Sequence, residues 1–287
     1  MLAVVGTIPE QKFPLIAGKV TLNGNRICIK GEKVDVNRGT PALLAAAVKT
    51  GEMLGQSELF GYLVGDIGLG DGSRRLYEYL SRNLEHLNFS AITFHYLQPD
   101  VDWHNRVLFA VEKMAKRPVL IADAGFMYAA KMSGQSQEYD LFTSDIGELA
   151  FLADETAPHP FYTRGFILHE ENRVPDLITR AYEHNNASLS LLVKGEKDYL
   201  ANRQGIQATV NGYMENAMEA IGGTGDTLTG IASALAGAGM DISKAAIIAA
   251  KANRLAGYYA RPTPATQVIE IIRHIPGALE EILQEKK

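Results

Sequence analysis

Short apolar runs alternate along this chain with stretches of helical spacing. LFGYLV predicts a buried strand over 59–64, ending at Gly65. In SRRLYEYLSRNLEHL, Leu76, Leu80, Leu84 and Leu87 recur at helical spacing, predicting an amphipathic helix over 73–87 that Ser73 or Asp71 can cap. The same pattern predicts strands over 91–97, 118–122, 140–143, 165–169 and 188–193. It places helices over 105–116 and 175–184, a helical turn or two over 147–153, and a hairpin over 199–210. The last third reads as helices over 227–237, 242–260 and 266–285. Strands separated by helices of ~10–15 residues imply βαβ units and a mostly parallel sheet, with ligands outside the carboxyl ends of the strands. The first 40 residues, with VTLNGNRICIKGEKVDV, read as hairpin strands at a sheet edge. No repeat, low-complexity tract or Pro/Ser-rich linker interrupts the pattern, so one domain over 1–287 is expected.

Composition narrows the class. Of 287 residues, 46% are hydrophobic and 21% charged, as in a globular protein. Lys and Arg number 28 against 33 Asp and Glu, a net charge of −5, which gives no basic footprint for nucleic acid or a membrane surface. Cys28 is the one cysteine, so neither an internal disulfide nor a cysteine metal cluster can form. The segment MLAVVGTIPEQKFP lacks the basic start of a signal peptide, and no apolar run reaches ~18 residues. A soluble, cytoplasmic protein is expected.

The glycines carry the candidate chemistry. In AIGGTGDTLTG, Gly222, Gly223 and Gly225 surround Thr224, Asp226 follows, and an apolar helix begins. Glycine lets backbone approach an anion, and the first N–H groups of a helix have no internal partner. Together they make an anion site suited to a phosphoryl group, with Asp226 placed to take a proton from an attacking hydroxyl. The competing reading makes Asp226 a helix N-cap and the glycines a turn. This is neither a Walker A loop, since no Gly-Lys-Ser/Thr follows, nor a dinucleotide-binding loop after an early strand.

IGGTGDTLTGIASALAGAG closely resembles the signature of ribokinase-like kinases, and most of all the ADP/ATP-dependent NAD(P)H-hydrate dehydratases. The resemblance implies a three-layer αβα ribokinase-like fold, a central mostly parallel sheet with helices on both faces. It implies Asp226 as catalytic base and Gly222, Gly223, Thr224 and Gly225 as the phosphate-binding loop. The activity implied is dehydration of hydrated NAD(P)H with ATP or ADP and Mg²⁺. A sugar or thiamine-precursor kinase, or a non-catalytic nucleotide-binding protein, is the alternative on the same scaffold. A homo-oligomer is also implied, as is the absence of room for a fused epimerase domain.

Other segments fit the resemblance in part. GDIGLGDGS carries Gly65, Gly68 and Gly70, similar to a glycine-rich substrate loop, or else is only a capped turn. PVLIADAGF ends a strand at Asp123, a substrate or cation contact by resemblance and a turn cap otherwise. In FTSDIGEL, Asp145 and Glu148 keep an acidic spacing linked to Mg²⁺, though the same pair reads as a capping box. There Ser144, Asp145 and Ile146 replace the family's Pro-His-Pro. LVKG supplies Lys194 and Gly195 as nucleotide-binding candidates, and Asn253, on a small-residue helix, is another, with helix packing as its competing role. None of the seven histidines shows metal-ligand spacing, and the aromatics around Phe94 and Tyr96 read as core or interface.

Overall fold

The computed structural model describes residues 1–56, 58–163 and 173–284. The chain opens with β1 (Leu2–Ile8) and β2 (Ile16–Lys19), then three short strands, β3 (Thr21–Asn23), β4 (Arg26–Ile29) and β5 (Glu32–Asp35), before α1 (Thr40–Met53). Strands and helices then alternate as β6 (Leu59–Gly65), α2 (Asp71–Asn83), β7 (Ala91–His95), α3 (Val101–Glu112), β8 (Val119–Asp123), α4 (Ala124–Met132), β9 (Leu141–Ser144) and α5 (Ile146–Ala153). Further on come α6 (Val174–Glu183), β10 (Ser190–Val193), β11 (Asp198–Asn202) and β12 (Gly205–Val210). The last helices are α7 (Thr224–Gly237), α8 (Ile242–Ala260), α9 (Val268–Ile272) and α10 (Ile275–Gln284).

Among the described residues the strands form a nine-stranded sheet in the order β12-β11-β10-β9-β8-β7-β1-β6-β2, and β3, β4 and β5 make a separate small sheet. From β6 to β10 every pairing is parallel, while β2, β11 and β12 add antiparallel edges. Both faces are covered. Leu2 and Val4 of β1 point into a core shared with α1, α7, α8, α9 and α10, and Ala3 and Val5 point into one shared with α2 to α6. This is the three-layer α/β arrangement expected, and it explains why the inner strands read as unbroken apolar runs.

The differences are instructive. β1 is not an edge hairpin but lies inside the sheet, between β6 and β7. Helices α1 and α4 escape the helical pattern because TPALLAAAV and AGFMYAAKM are apolar nearly all round, as a helix buried in a core must be. Neither Ser73 nor Asp71 caps α2, whose N-cap is Gly70. The run over 266–285 divides into α9 and α10, with Pro276 in the first turn of α10, where its missing N–H costs no helical bond. The strand expected over 165–169 lies outside the described residues.

Candidate active site

The parallel strands deliver their carboxyl ends to one edge of the sheet. β7 ends at His95, β8 at Asp123 and β9 at Ser144, and Lys194 follows β10. The chain leaves β1 for β6 on one side and returns past it to β7 on the other. That reversal is the switch point at which open α/β sheets bind ligands. The first turns of α1 and α7 meet there.

Asp226 does not cap α7. The N-cap is Gly223, in a left-handed conformation (φ 101°) that favours glycine, and no side chain caps this end. Asp226 stands in the first turn, 9% exposed, and its carboxylate reaches other parts of the chain. Oδ2 accepts from the Gly39 N–H at 2.6 Å, and Oδ1 lies 3.0 Å from Nε2 of the buried His95. Burial alone would raise its pKa. The hydrogen bond and charge of His95, the charge of Lys194 and the Gly39 N–H outweigh burial and hold the carboxyl below its ordinary range. The N–H groups of Thr224, Gly225 and Asp226 begin the helix and have no acceptor within it. The Thr224 hydroxyl turns away, donating to the carbonyls of Met218 and Ile221. Arg38 lies along the loop, its Cδ 3.5 Å from where a Cβ of Gly222 would stand. Two helix starts therefore converge on one carboxylate, a positive field suited to a phosphoryl group.

A second carboxylate pairs with the lysine. Lys194 Nζ donates to Asp123 at 3.0 and 3.1 Å, Thr229 donates to Asp123 Oδ2 at 2.6 Å, and the Ala124 N–H donates to Oδ1 at 2.9 Å. Asp123 is thus both the cap of α4 and the partner of Lys194. Burial works against the lysine's charge, but Asp123, Glu148 and Asp226 prevail and push its pKa up. Lys194 Nζ passes 3.6 Å from where a Gly225 Cβ would be, which sets the ammonium beside the start of α7. His95, Asp123 and Asp226 bring ligand-type atoms within 4.8 Å of one another. The cation engaged with that group is Lys194.

Asp145 and Glu148 form the capping box of α5, each carboxylate accepting the other residue's backbone N–H at 2.7 and 2.8 Å. Burial, then the negative charges of Asp123 and Asp145, push the Glu148 pKa well up against the pull of Lys194. Tyr96 and Ala124, immediately after His95 and Asp123, both hold φ at 52°, a strained setting for residues other than glycine. The Thr7 hydroxyl donates to the Tyr96 carbonyl at 2.8 Å and helps fix it. The Tyr96 ring meets the His95 imidazole edge-on, ring centroids 4.2 Å apart, while its outer side stays open to solvent.

The remaining candidates also take part in framework hydrogen bonds. Asp66, beside Gly65, accepts from the N–H groups of Gly68, Gly70 and Ser73 and from the Ser73 hydroxyl, which shapes the 65–70 loop. Asn253 is buried behind α7, accepting from the Thr227 hydroxyl at 2.6 Å and donating to the Thr224 carbonyl at 3.0 Å. The Gly195 N–H donates to Asp198, and Arg254 donates to the carbonyls of Gly195 and Glu196. One helix, α8, thereby braces both the start of α7 and the turn after Lys194.

Sequence reasoning missed His95, Gly39, Thr40, Arg38 and Thr229. His95 left one signal, a titratable residue near the carboxyl end of a mostly apolar strand. Gly39 and Thr40 left none, because the helix they begin was itself unexpected.

The fold and the family match place the chain among the ribokinase-like enzymes. A structure of a ribokinase-like superfamily protein from Enterococcus faecalis covers 98% of this chain and 86% of its own at a TM-score of 0.59 and 15% identity. The ADP/ATP-dependent NAD(P)H-hydrate dehydratase of Bacillus subtilis, co-crystallised with ATP/Mg²⁺, covers 98% and 89% at 0.60 and 13%. The pyridoxal kinase of Staphylococcus aureus, in complex with ADP, covers 90% and 88% at 0.56 and 12%. The family model described as NAD(P)H-hydrate dehydratase matches residues 98–276, and the chain belongs to that carbohydrate-kinase-like family. An uncharacterized protein of Methanocaldococcus jannaschii is 40% identical over 243 residues, 84% of this chain and 100% of that relative. The 65–70 loop lies outside the matched span, whereas Asp123, Lys194 and Asp226 lie within it. Among the described residues no helix is long and apolar enough to cross a membrane.

Proposed function

We propose that the protein transfers the terminal phosphoryl group of ATP or ADP to a small-molecule hydroxyl, and that the acceptor is hydrated NAD(P)H. The observation that carries this reading is the Asp226 carboxylate, held ionised in the first turn of α7 beside helix N–H groups without an internal acceptor. The family match, described by this activity, supports it. Asp226 accepts the hydroxyl proton while the substrate oxygen bonds to phosphorus and the bond from phosphorus to the leaving nucleotide oxygen breaks. Gly222, Gly223, Thr224 and Gly225 present the backbone that holds the phosphoryl oxygens, so catalysis is positioning plus charge stabilisation. Lys194, kept charged by Asp123, and Gly195 face the nucleotide. The 65–70 loop forms the substrate side, and Asn253 steadies α7 from behind. The bond from ring carbon to phosphate oxygen then breaks, the neighbouring ring carbon gives a proton to solvent, and the double bond so formed restores NAD(P)H.

Asp145 and Glu148 suit hydrated Mg²⁺. They offer oxygen donors only, their capping bonds use one oxygen of each carboxylate, and the crowding that raises Glu148 is what a cation relieves. Bound there, Mg²⁺ would offset the charge of the nucleotide phosphates.

The deciding assay supplies purified protein with Mg²⁺, hydrated NADH and either ATP or ADP, following NADH recovery and phosphate release together. Recovery in step with phosphate, lost in Asp226→Asn, is expected, and the productive nucleotide names the donor. A stable phosphorylated product from a sugar or thiamine-precursor alcohol would move the assignment to a kinase. Ser144, Asp145 and Ile146, standing where the resembling family has Pro-His-Pro, favour that second reading. Nucleotide binding without turnover on any alcohol would leave only a binding protein.

A further inference from the structure

Resting on Asp226 as the proposed base, we infer that Thr40 and His95 form a buried positioning relay that sets the direction in which Asp226 accepts its proton. His95 is 0% exposed and lies between two polar partners, with Nε2 3.0 Å from Asp226 Oδ1 and Nδ1 3.0 Å from the Thr40 hydroxyl. An ionised carboxylate only accepts, so Nε2 carries a hydrogen directed at Asp226. The Thr40 hydroxyl donates to Nδ1 when the ring is neutral and accepts from it when charged, so the ring keeps its place in either state. Because Nε2 already bears a hydrogen and Nδ1 faces Thr40, His95 is not the base.

The three groups come from three elements brought together by close packing. A Cβ on Gly6, in β1, would lie 2.5 Å from Thr40 Oγ1 and 2.9 Å from the His95 carbonyl, so the bare glycine is what lets α1 and β7 approach. Gly39, next to Thr40, donates to the other carboxylate oxygen. Asp226 is therefore held at both oxygens by groups outside its own helix. A carboxylate oxygen offers two lone pairs, so each keeps one for a substrate hydroxyl, and the direction of approach is fixed. Such orientation matters because a misplacement of ~1 Å can cost about 10²-fold in rate.

The test compares His95→Leu, which removes the donor, with His95→Gln, whose amide can donate to the same oxygen, in the full-length protein. Expected for His95→Leu is a fall in kcat of about 10²-fold with KM and nucleotide Kd nearly unchanged. His95→Gln should recover at least about tenfold of that loss. Thr40→Val against Thr40→Ser repeats the comparison at a second position should the buried imidazole prove necessary for folding. NMR of ¹⁵N-histidine-labelled protein should show, besides any signal of the buried His104, a solvent-protected imidazole N–H that is absent in His95→Leu and shifted in Asp226→Asn. Equal kcat in a folded His95→Leu, or equal losses in the Leu and Gln variants, would overturn the inference and leave the proposed function standing. If the wild type transfers no phosphoryl group, the proposed function fails. The imidazole signal then decides the relay alone, its absence refuting it.

Discussion

Asp226 and Asp66 are two carboxylates beside glycine-rich loops at the same edge of the sheet, each next to the start of a helix. Each is pushed up by burial, yet hydrogen bonds hold both below the ordinary carboxylate range. Their partners differ. Asp66 accepts four hydrogen bonds, all from residues 68–73 of its own loop. Asp226 accepts from α1 and from β7, neither near it in sequence. The first carboxylate is consumed in folding a turn, while the second is held in place by the fold with lone pairs to spare. A low carboxylate pKa therefore does not by itself mark a catalytic group; where the donors come from separates the two.

The largest expected effect breaks the comparison at Asp226. Asp226→Asn should lower turnover by about 10²–10⁴-fold, the range a positioned proton acceptor contributes, with nucleotide binding kept. Equal turnover in the variant, measured at saturating substrate, would put Asp226 in the same class as Asp66.

Next comes the pair that links the two behaviours. Asp123 is tied to its own helix, like Asp66, and to a distant residue, Lys194, like Asp226. Lys194→Met would strand a buried carboxylate and should cost about 3–5 kcal/mol of stability, read by urea unfolding. Asp66→Asn should cost less, about 1–3 kcal/mol for its displaced N–H partners, with turnover on a saturating substrate nearly kept. Since folding lowers the Asp66 pKa, its contribution is present above the ordinary carboxylate range and is lost as pH falls through the folded value. Wild type and Asp66→Asn should therefore converge in Tm on acidification.

The loop containing Asp226 was legible because its parts are contiguous. Glycines, a helix start and an acid within a few residues specify an anion site wherever the chain puts them. The parallel sheet was legible for a similar reason, since strand and helix periods alternate locally. His95, Gly39 and Thr40 were not, because they reach Asp226 only through the pairing of β1 with β7 and the packing of α1 on α7. Residues 40–53 hid their helix by being apolar on nearly every side. β1 hid its central position because an apolar run reads alike at an edge and in the interior, and order within a sheet is a tertiary property. Sequence alone left GDIGLGDGS open between a substrate loop and a capped turn, and the structure shows Asp66 bonded wholly within that loop while Asp226 bonds to distant elements.

The smallest expected effect sharpens the comparison at Glu148, whose carboxylate serves its own helix and also feels Asp123 and Asp145. Folding raises its pKa, so the folded state holds the proton more tightly than the unfolded chain. Its contribution is fully present below the unfolded value of about 4.3 and is lost as pH rises through the folded one. Glu148→Gln keeps an oxygen to accept the Asp145 N–H, so the cap survives, while the charge conflict disappears. The variant should thus be slightly more stable than wild type at neutral pH, with the gap in Tm closing as pH falls toward 4. If Asp145 and Glu148 also hold hydrated Mg²⁺, the variant should need more Mg²⁺ for half-maximal turnover. A Tm gain with an unchanged Mg²⁺ requirement would make Glu148 a helix cap alone, alongside Asp66 and apart from Asp226.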